Sequence, residues 1–166
     1  MGNVVLVGFM GTGKTTISKQ LSKMYGMEIV DMDQEIVVRE RMSIPEIFHN
    51  HGEEYFRSLE TALLIELQER DNIIISCGGG AAMRERNVAE MKKNGKVVLL
   101  TATPETILKR VKNNDDRPLL RGRKTIAGIT ELMEVRCPKY EAAADIIIET
   151  DDKTAEEICK EIMNKI

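Results

Sequence analysis

At 166 residues, with 42% hydrophobic and 31% charged side chains, the chain has the make-up of one globular domain, which excludes a disordered or fibrous polymer. Its formal charge is −3, from 24 Lys and Arg against 27 Asp and Glu, so no global positive field exists to hold a polyanion and nucleic-acid binding is not expected. No apolar run approaches the roughly 20 residues that span a bilayer, and Cys77, Cys137 and Cys159 form no Cys-x-x-Cys pair, which argues against a zinc site or a disulfide framework.

Met1-Gly2-Asn3 leads directly into a strand-like segment, with no basic stretch ahead of an apolar one, so no signal peptide is expected. Reduced thiols and a cytoplasmic location are the default reading. The first strand is Val4-Val5-Leu6-Val7, and the helix after it carries Ile17, Leu21 and Met24 on one face. A second apolar run covers residues 27–30, broken by Glu28. Leu59, Leu63 and Leu67 then share a helical face, followed by Ile73-Ile74-Ile75. Val97-Val98-Leu99-Leu100 precedes a helical pattern at Ile107, Leu108 and Val111. Ile146-Ile147-Ile148 precedes a last stripe of Ile158, Ile162 and Ile166. Short runs with little polar alternation read as strands buried on both faces, the habit of parallel sheets. Strand–helix alternation from end to end predicts a three-layer α/β/α domain with its ligand edge at the strand C-termini.

Residues 113–124, NNDDRPLLRGRK, fit neither pattern. Four basic residues (Arg117, Arg121, Arg123, Lys124) against Asp115 and Asp116 give the segment a charge of +2, and a basic irregular insertion of this length reads as a functional lid or a disordered loop.

Gly8-Phe9-Met10-Gly11-Thr12-Gly13-Lys14-Thr15 satisfies G-x-x-x-x-G-K-[ST] between a buried strand and an amphipathic helix, the context its mechanism needs. Glycines let backbone N–H groups turn inward around phosphates, and the helix N-terminus adds unpaired donors and partial positive charge. Gly11, Thr12, Gly13, Lys14, Thr15 and Thr16 are the candidate nucleotide contacts. Lys14 reaches the β/γ-phosphates, and the Thr15 hydroxyl is a candidate Mg²⁺ ligand.

A GTPase would need a guanine-reading Asn/Thr-Lys-x-Asp, but Leu99 onward reads LLTATPETI. A motor-type ATPase strand would end in acidic residues, whereas Ile73-Ile74-Ile75 ends in Ser76-Cys77 and three glycines. The carboxylates stand instead at Asp31-Met32-Asp33, after the second strand. Two apart at a strand end, they can face the phosphate edge in different roles, one toward a metal-bound water and one toward a hydroxyl proton. Gly78-Gly79-Gly80 offers bare backbone N–H groups, or simply a turn. Arg57 and Glu60 are spaced for an ion pair on one helix face, and Arg136 stands near the end of a helix-like segment. His49-Asn50-His51 lacks the surroundings of a nuclease motif and reads as helix-turn residues.

Taken together, GFMGTGKTT, VDMD, FHNHGEEYFRSLE, SCGGG, RPLL and RCPKYEAAAD resemble one family in order along nearly the whole chain, the shikimate kinases. The resemblance implies one domain over residues 1–166, with a five-stranded parallel sheet of order 2-3-1-4-5, a lid at about 113–124 and a substrate-binding region at about 33–60. It implies transfer of the γ-phosphate of ATP to the 3-hydroxyl of shikimate, with Mg²⁺, in the pathway to chorismate and the aromatic amino acids. Implied catalytic residues are Asp33 as base, Lys14 and Arg117. Arg57 and Arg136 would clamp the substrate carboxylate, Glu60 orient Arg57, and Gly78, Gly79 and Gly80 supply backbone contacts. Arg110, Arg117 and Lys153 join the nucleotide set, although many relatives carry Arg where Lys153 stands. Thr15 and Asp31 are the implied metal residues, and a monomer is expected. Rival readings are a gluconate or other small-polyol kinase, a nucleoside monophosphate kinase and a non-catalytic nucleotide sensor. The first would not need the FR-x-x-E, GGG and late-Arg set. The second would need a base-reading pocket, for which no aromatic stacking candidate is evident, and the third has no use for Asp33 with two clamp arginines.

Overall fold

The structure is a computed structural model that describes residues 2–111 and 125–166; the expected lid at 113–124, and with it Arg117, lies outside the described residues. Five parallel strands, β1 (Asn3–Val7), β2 (Glu28–Asp31), β3 (Ile73–Ser76), β4 (Gly95–Thr101) and β5 (Ile146–Glu149), form one sheet of order β2-β3-β1-β4-β5. This is the expected order. Helices α1 (Lys14–Tyr25), α2 (Met32–Glu40), α3 (Ile44–His51), α4 (Glu53–Leu67), α5 (Glu85–Lys93), α6 (Pro104–Val111), α7 (Ile126–Ala143) and α8 (Ala155–Lys165) cover its two faces.

Alternation along each strand divides the apolar runs between two cores. Val4, Leu6, Ile74, Val98, Leu100 and Ile148 meet Ile17 and Leu21 of α1 and Ile158 and Ile162 of α8. Val5, Val7, Ile75, Val97 and Leu99 point the other way, into Leu63, Leu64 and Leu67 of α4, Met91 of α5, Ile107 of α6 and Tyr140 of α7. Helices on both faces are why the strands read as unbroken apolar runs.

The register matters for the site. Leu6 and Asp31 both lie opposite Ser76, and Val7 lies opposite Leu99, so the ends of β1, β2, β3 and β4 line one edge.

Local differences from the sequence reading have identifiable causes. The acidic pair does not sit together on a strand end. Asp31 closes β2 and caps α2, its Oδ1 accepting from the Gln34 amide at 3.1 Å, so Asp33 falls in the first helical turn. Arg136 is well inside α7, because the helix continues through Pro138 to Ala143. Ile166 lies beyond α8 and is 37% exposed, so the closing stripe ends at Ile162.

Candidate active site

The loop between β1 and α1 wraps tightly. Gly8 has φ +151°, and a Cβ there would stand 2.6 Å from the Leu100 carbonyl of the neighbouring strand. Gly13, at φ +98°, caps α1 with no side-chain hydrogen bond, and a Cβ on it would meet nothing within 4 Å. The first turn of α1 has no side-chain cap and no acidic residue, so no carboxylate offsets the partial positive charge of the helix N-terminus. Thr12 is buried and its hydroxyl donates to the Phe9 carbonyl at 2.7 Å, which places it as a brace of the loop. Thr15 and Thr16 stand exposed on the helix start. Lys14 is placed more firmly than an isolated solvent-edge charge: its Nζ donates to the carbonyls of Gly8 at 2.7 Å and Phe9 at 3.2 Å.

On the far side of the edge, three side chains from three helices converge on Gly78-Gly79-Gly80. A Cβ on Gly78 would lie 2.6 Å from Asp33 Oδ1, one on Gly79 would lie 2.7 Å from Arg136 Nη1, and one on Gly80 would lie 2.6 Å from Arg57 Cζ. Each glycine thus leaves room for a different functional group. Asp33 comes from α2, Arg57 from α4 and Arg136 from α7. The tripeptide does more than offer backbone donors, because any side chain on it would displace one of the three.

Arg57 is held from behind. Its Nη1 donates to Glu60 Oε1 at 2.7 Å, its Nη2 is 3.7 Å from Glu53 Oε2, and its Cζ lies 5.4 Å from the Phe56 ring centroid. Glu60 is 1% exposed, so the pair is not a surface ion pair; among the described residues its Oε2 is a buried oxygen with no hydrogen-bond partner. Burial pushes the Glu60 carboxyl above the usual glutamate range, against the pull of the Arg57 guanidinium; the Asp33 charge adds to the rise and Arg84 opposes it. Folding therefore favours the neutral form. The stability this contributes is fully present below the ordinary glutamate pKa and is lost as pH rises through the raised folded value. Glu60→Gln removes the titration, so the melting temperature of the variant should gain on the parent as pH rises from the ordinary glutamate range upward. Thermal melts at increasing pH check this, and a pH-independent gap would mean that Glu60 titrates normally.

Tyr140, not singled out in the sequence, completes the Arg136 side. It lies one turn beyond Arg136 on α7, donates its hydroxyl to the Gly79 carbonyl and accepts from Arg136 Nη1 at 3.5 Å. Burial raises its phenol above the usual range, and Arg136 opposes the rise. The signal was the i, i+4 spacing within RCPKY.

Arg110 of α6 crosses to the phosphate loop, its Nη1 donating to the Gly11 carbonyl at 3.0 Å and the Thr150 hydroxyl at 3.2 Å. Lys153 does not join it. Its Nζ is 2.9 Å from Glu161 Oε2 on α8, an attachment that directs the ammonium along that helix. Asp31 and Thr15 offer one carboxylate and one hydroxyl, and among the described residues no cluster of three His, Cys, Asp or Glu could cage a metal. Such a donor set fits Mg²⁺ carried on nucleotide phosphates, an ion that keeps several waters and takes one or two protein oxygens.

The edge therefore joins an anion-binding loop to a pocket with one carboxylate and two guanidiniums, contributed by residues far apart in the chain. That pairing suits phosphate transfer onto a small hydroxylated acid. Comparison with known proteins bears on the same point. Residues 10–166 match the family model described as "Shikimate kinase". A shikimate kinase of Caldanaerobacter subterraneus is 42% identical over 98% of this chain and 95% of its own. One from Persephonella marina is 42% identical over 100% and 99%. The solved shikimate kinase of Acinetobacter baumannii, in complex with shikimate, superposes with a TM-score of 0.90 at 35% identity, covering 99% of this chain and 92% of that one.

Proposed function

The chain belongs to the shikimate kinase family, and from that premise we propose that it transfers the γ-phosphoryl group of ATP to the 3-hydroxyl of shikimate. The observation that carries the reading is the convergence of Asp33, Arg136 and Arg57 on three successive glycines beside the phosphate loop. A substrate with one carboxylate and several hydroxyls needs paired guanidiniums at one end and a proton acceptor at the other.

Arg57 and Arg136 hold the carboxylate, with Glu60 fixing the Arg57 fork. Asp33 binds the ring hydroxyls and takes the proton from the 3-hydroxyl as its oxygen attacks the γ-phosphorus, with ADP as leaving group. Phosphoryl transfer asks for little covalent help, so alignment and charge neutralisation dominate. Lys14 and the amides of 11–16 neutralise the phosphates, Arg110 steadies the nucleotide side, and Arg117 acts from the lid segment. Mg²⁺, held by Thr15 and, through water, by Asp31, would supply further charge neutralisation on the phosphates. Lys153 contributes to nucleotide binding only if its pair with Glu161 opens. We take residues 1–166 as one domain that works as a cytoplasmic monomer; no described helix is long and apolar enough to cross a membrane.

Release of ADP with shikimate, gluconate and AMP offered in parallel tests the function. Turnover confined to shikimate is expected, and turnover of gluconate or AMP instead would overturn the reading. The clamp has its own signature. Arg57→Ala or Arg136→Ala should raise the shikimate KM by about 10- to 150-fold, the cost of a hydrogen bond to a charged group, while the ATP KM moves little. Equal changes in both constants would remove these arginines from the acid clamp.

A further inference from the structure

Asn87 of α5 is fully buried and takes no part in the chemistry derived above. It bridges two elements that must be spaced correctly for the clamp to form. Its Oδ1 accepts from the Thr61 hydroxyl at 2.6 Å, and its Nδ2 donates to the Ala81 carbonyl at 3.0 Å. Thr61 stands one turn beyond Arg57 on α4, its Oγ1 also 3.2 Å from the Arg57 carbonyl. Ala81 follows Gly80 and opens the short turn Ala81–Met83, its amide donating to the Gly78 carbonyl at 3.2 Å. One amide side chain thus joins the helix that carries Arg57 to the turn that carries the three glycines.

The spacing has little slack. The Gly80 backbone approaches the Arg57 guanidinium so closely that a Cβ would stand 2.6 Å from Cζ. A shift of a few tenths of an ångström between α4 and the turn would close or open that approach, and the buried Asn87 amide resists such a shift because a bond it loses there is not readily replaced by water.

We propose that Asn87, acting with Thr61, is a positioning residue for the acid clamp: it sets the separation of α4 from the triple-glycine turn and so the seat of the Arg57 guanidinium. The proposal rests on the reading of Arg57 as a ligand of the substrate carboxylate. The hydrogen bonds of the Asn87 and Thr61 side chains run to each other and to the Ala81 and Arg57 carbonyls. Their effect runs through Arg57, so it falls on the acid and spares the nucleotide.

Steady-state KM values for shikimate and ATP in the parent, Arg57→Ala, Thr61→Val, Thr61→Ser and Asn87→Leu test this. Thr61→Val keeps the shape and removes the hydroxyl. It should raise the shikimate KM roughly three- to tenfold with the ATP KM within about twofold, the scale of one net hydrogen bond. Thr61→Ser restores the donor and should return the shikimate KM to near the parent value. Asn87→Leu loses both bonds and should move the same constant further; should it fail to fold, the Thr61 pair decides alone. A shikimate KM unchanged in Thr61→Val, beside a raised one in Arg57→Ala, overturns the positioning role and leaves the clamp standing. Equal shifts in both KM values, or no rescue by Ser, mark a merely structural bridge and overturn it too. An unchanged shikimate KM in Arg57→Ala overturns the clamp itself, and the proposal with it.

Discussion

Asp33→Asn should lower kcat by about 10²- to 10⁴-fold, the usual worth of a positioned general base. The substitution keeps the shape of the side chain beside Gly78, where a Cβ would already be 2.6 Å from one carboxylate oxygen and 3.0 Å from the other. The amide that replaces the carboxylate could still accept hydrogen bonds from ring hydroxyls through its carbonyl, so the shikimate KM should change far less than kcat. What it cannot do is take up the proton of the 3-hydroxyl as the new bond to phosphorus forms. The reading predicts a fall in kcat that remains at saturating shikimate and ATP. A raised shikimate KM with kcat intact would reassign Asp33 to binding alone.

Lys14→Ala should cost about 10²- to 10³-fold in kcat, the scale for removing one preorganised donor from a developing charge. Loss of the ammonium leaves the phosphates without a point charge at the β/γ position, and Lys14→Arg should not restore it, since the larger planar group must fit between the Gly8 and Phe9 carbonyls. Those two hydrogen bonds also tie the loop to itself, so some stability, on the order of 1 kcal/mol for a half-exposed group, should be lost without nucleotide. The informative comparison is ligand-linked. ATP should raise the melting temperature of the parent and raise that of the variant much less. If both proteins gained equally from ATP, Lys14 would be a brace of the loop and no phosphate ligand.

Charge logic links the two predictions. Transfer needs a negative group to accept the proton and positive groups to receive the phosphoryl charge, in one place and without neutralising each other. The sheet edge separates them: Lys14 starts α1 after β1, whereas Asp33 stands in the first turn of α2 after β2, and β3 runs between those strands. The triple glycine at the end of β3 is therefore the natural meeting point of the two half-sites.

What the sequence by itself determined was everything with a local cause. The phosphate loop needs only glycines at set positions between a strand and a helix, so Gly8 to Thr15 could be read directly. The α/β class follows from apolar runs and helical stripes, which are short-range periods; Ile17 and Leu21, or Ile158 and Ile162, occupy the faces their spacing predicts. The strand order and the site roles came from resemblance to a family, and the observed order agrees. The tertiary structure decided what depends on burial and on residues far apart in the chain. An i, i+3 Arg57–Glu60 pair looks the same on a solvated face as in a core; packing of α4 against the sheet made it a buried fork with an orphaned oxygen. Lys153 stood where a nucleotide contact was expected, yet Glu161, eight residues on, holds its ammonium. The reason for three glycines was likewise invisible in the sequence. Asp33, Arg57 and Arg136 reach the tripeptide only because parallel crossovers deliver α2, α4 and α7 to one edge, and no local rule encodes which side chain a missing Cβ will admit.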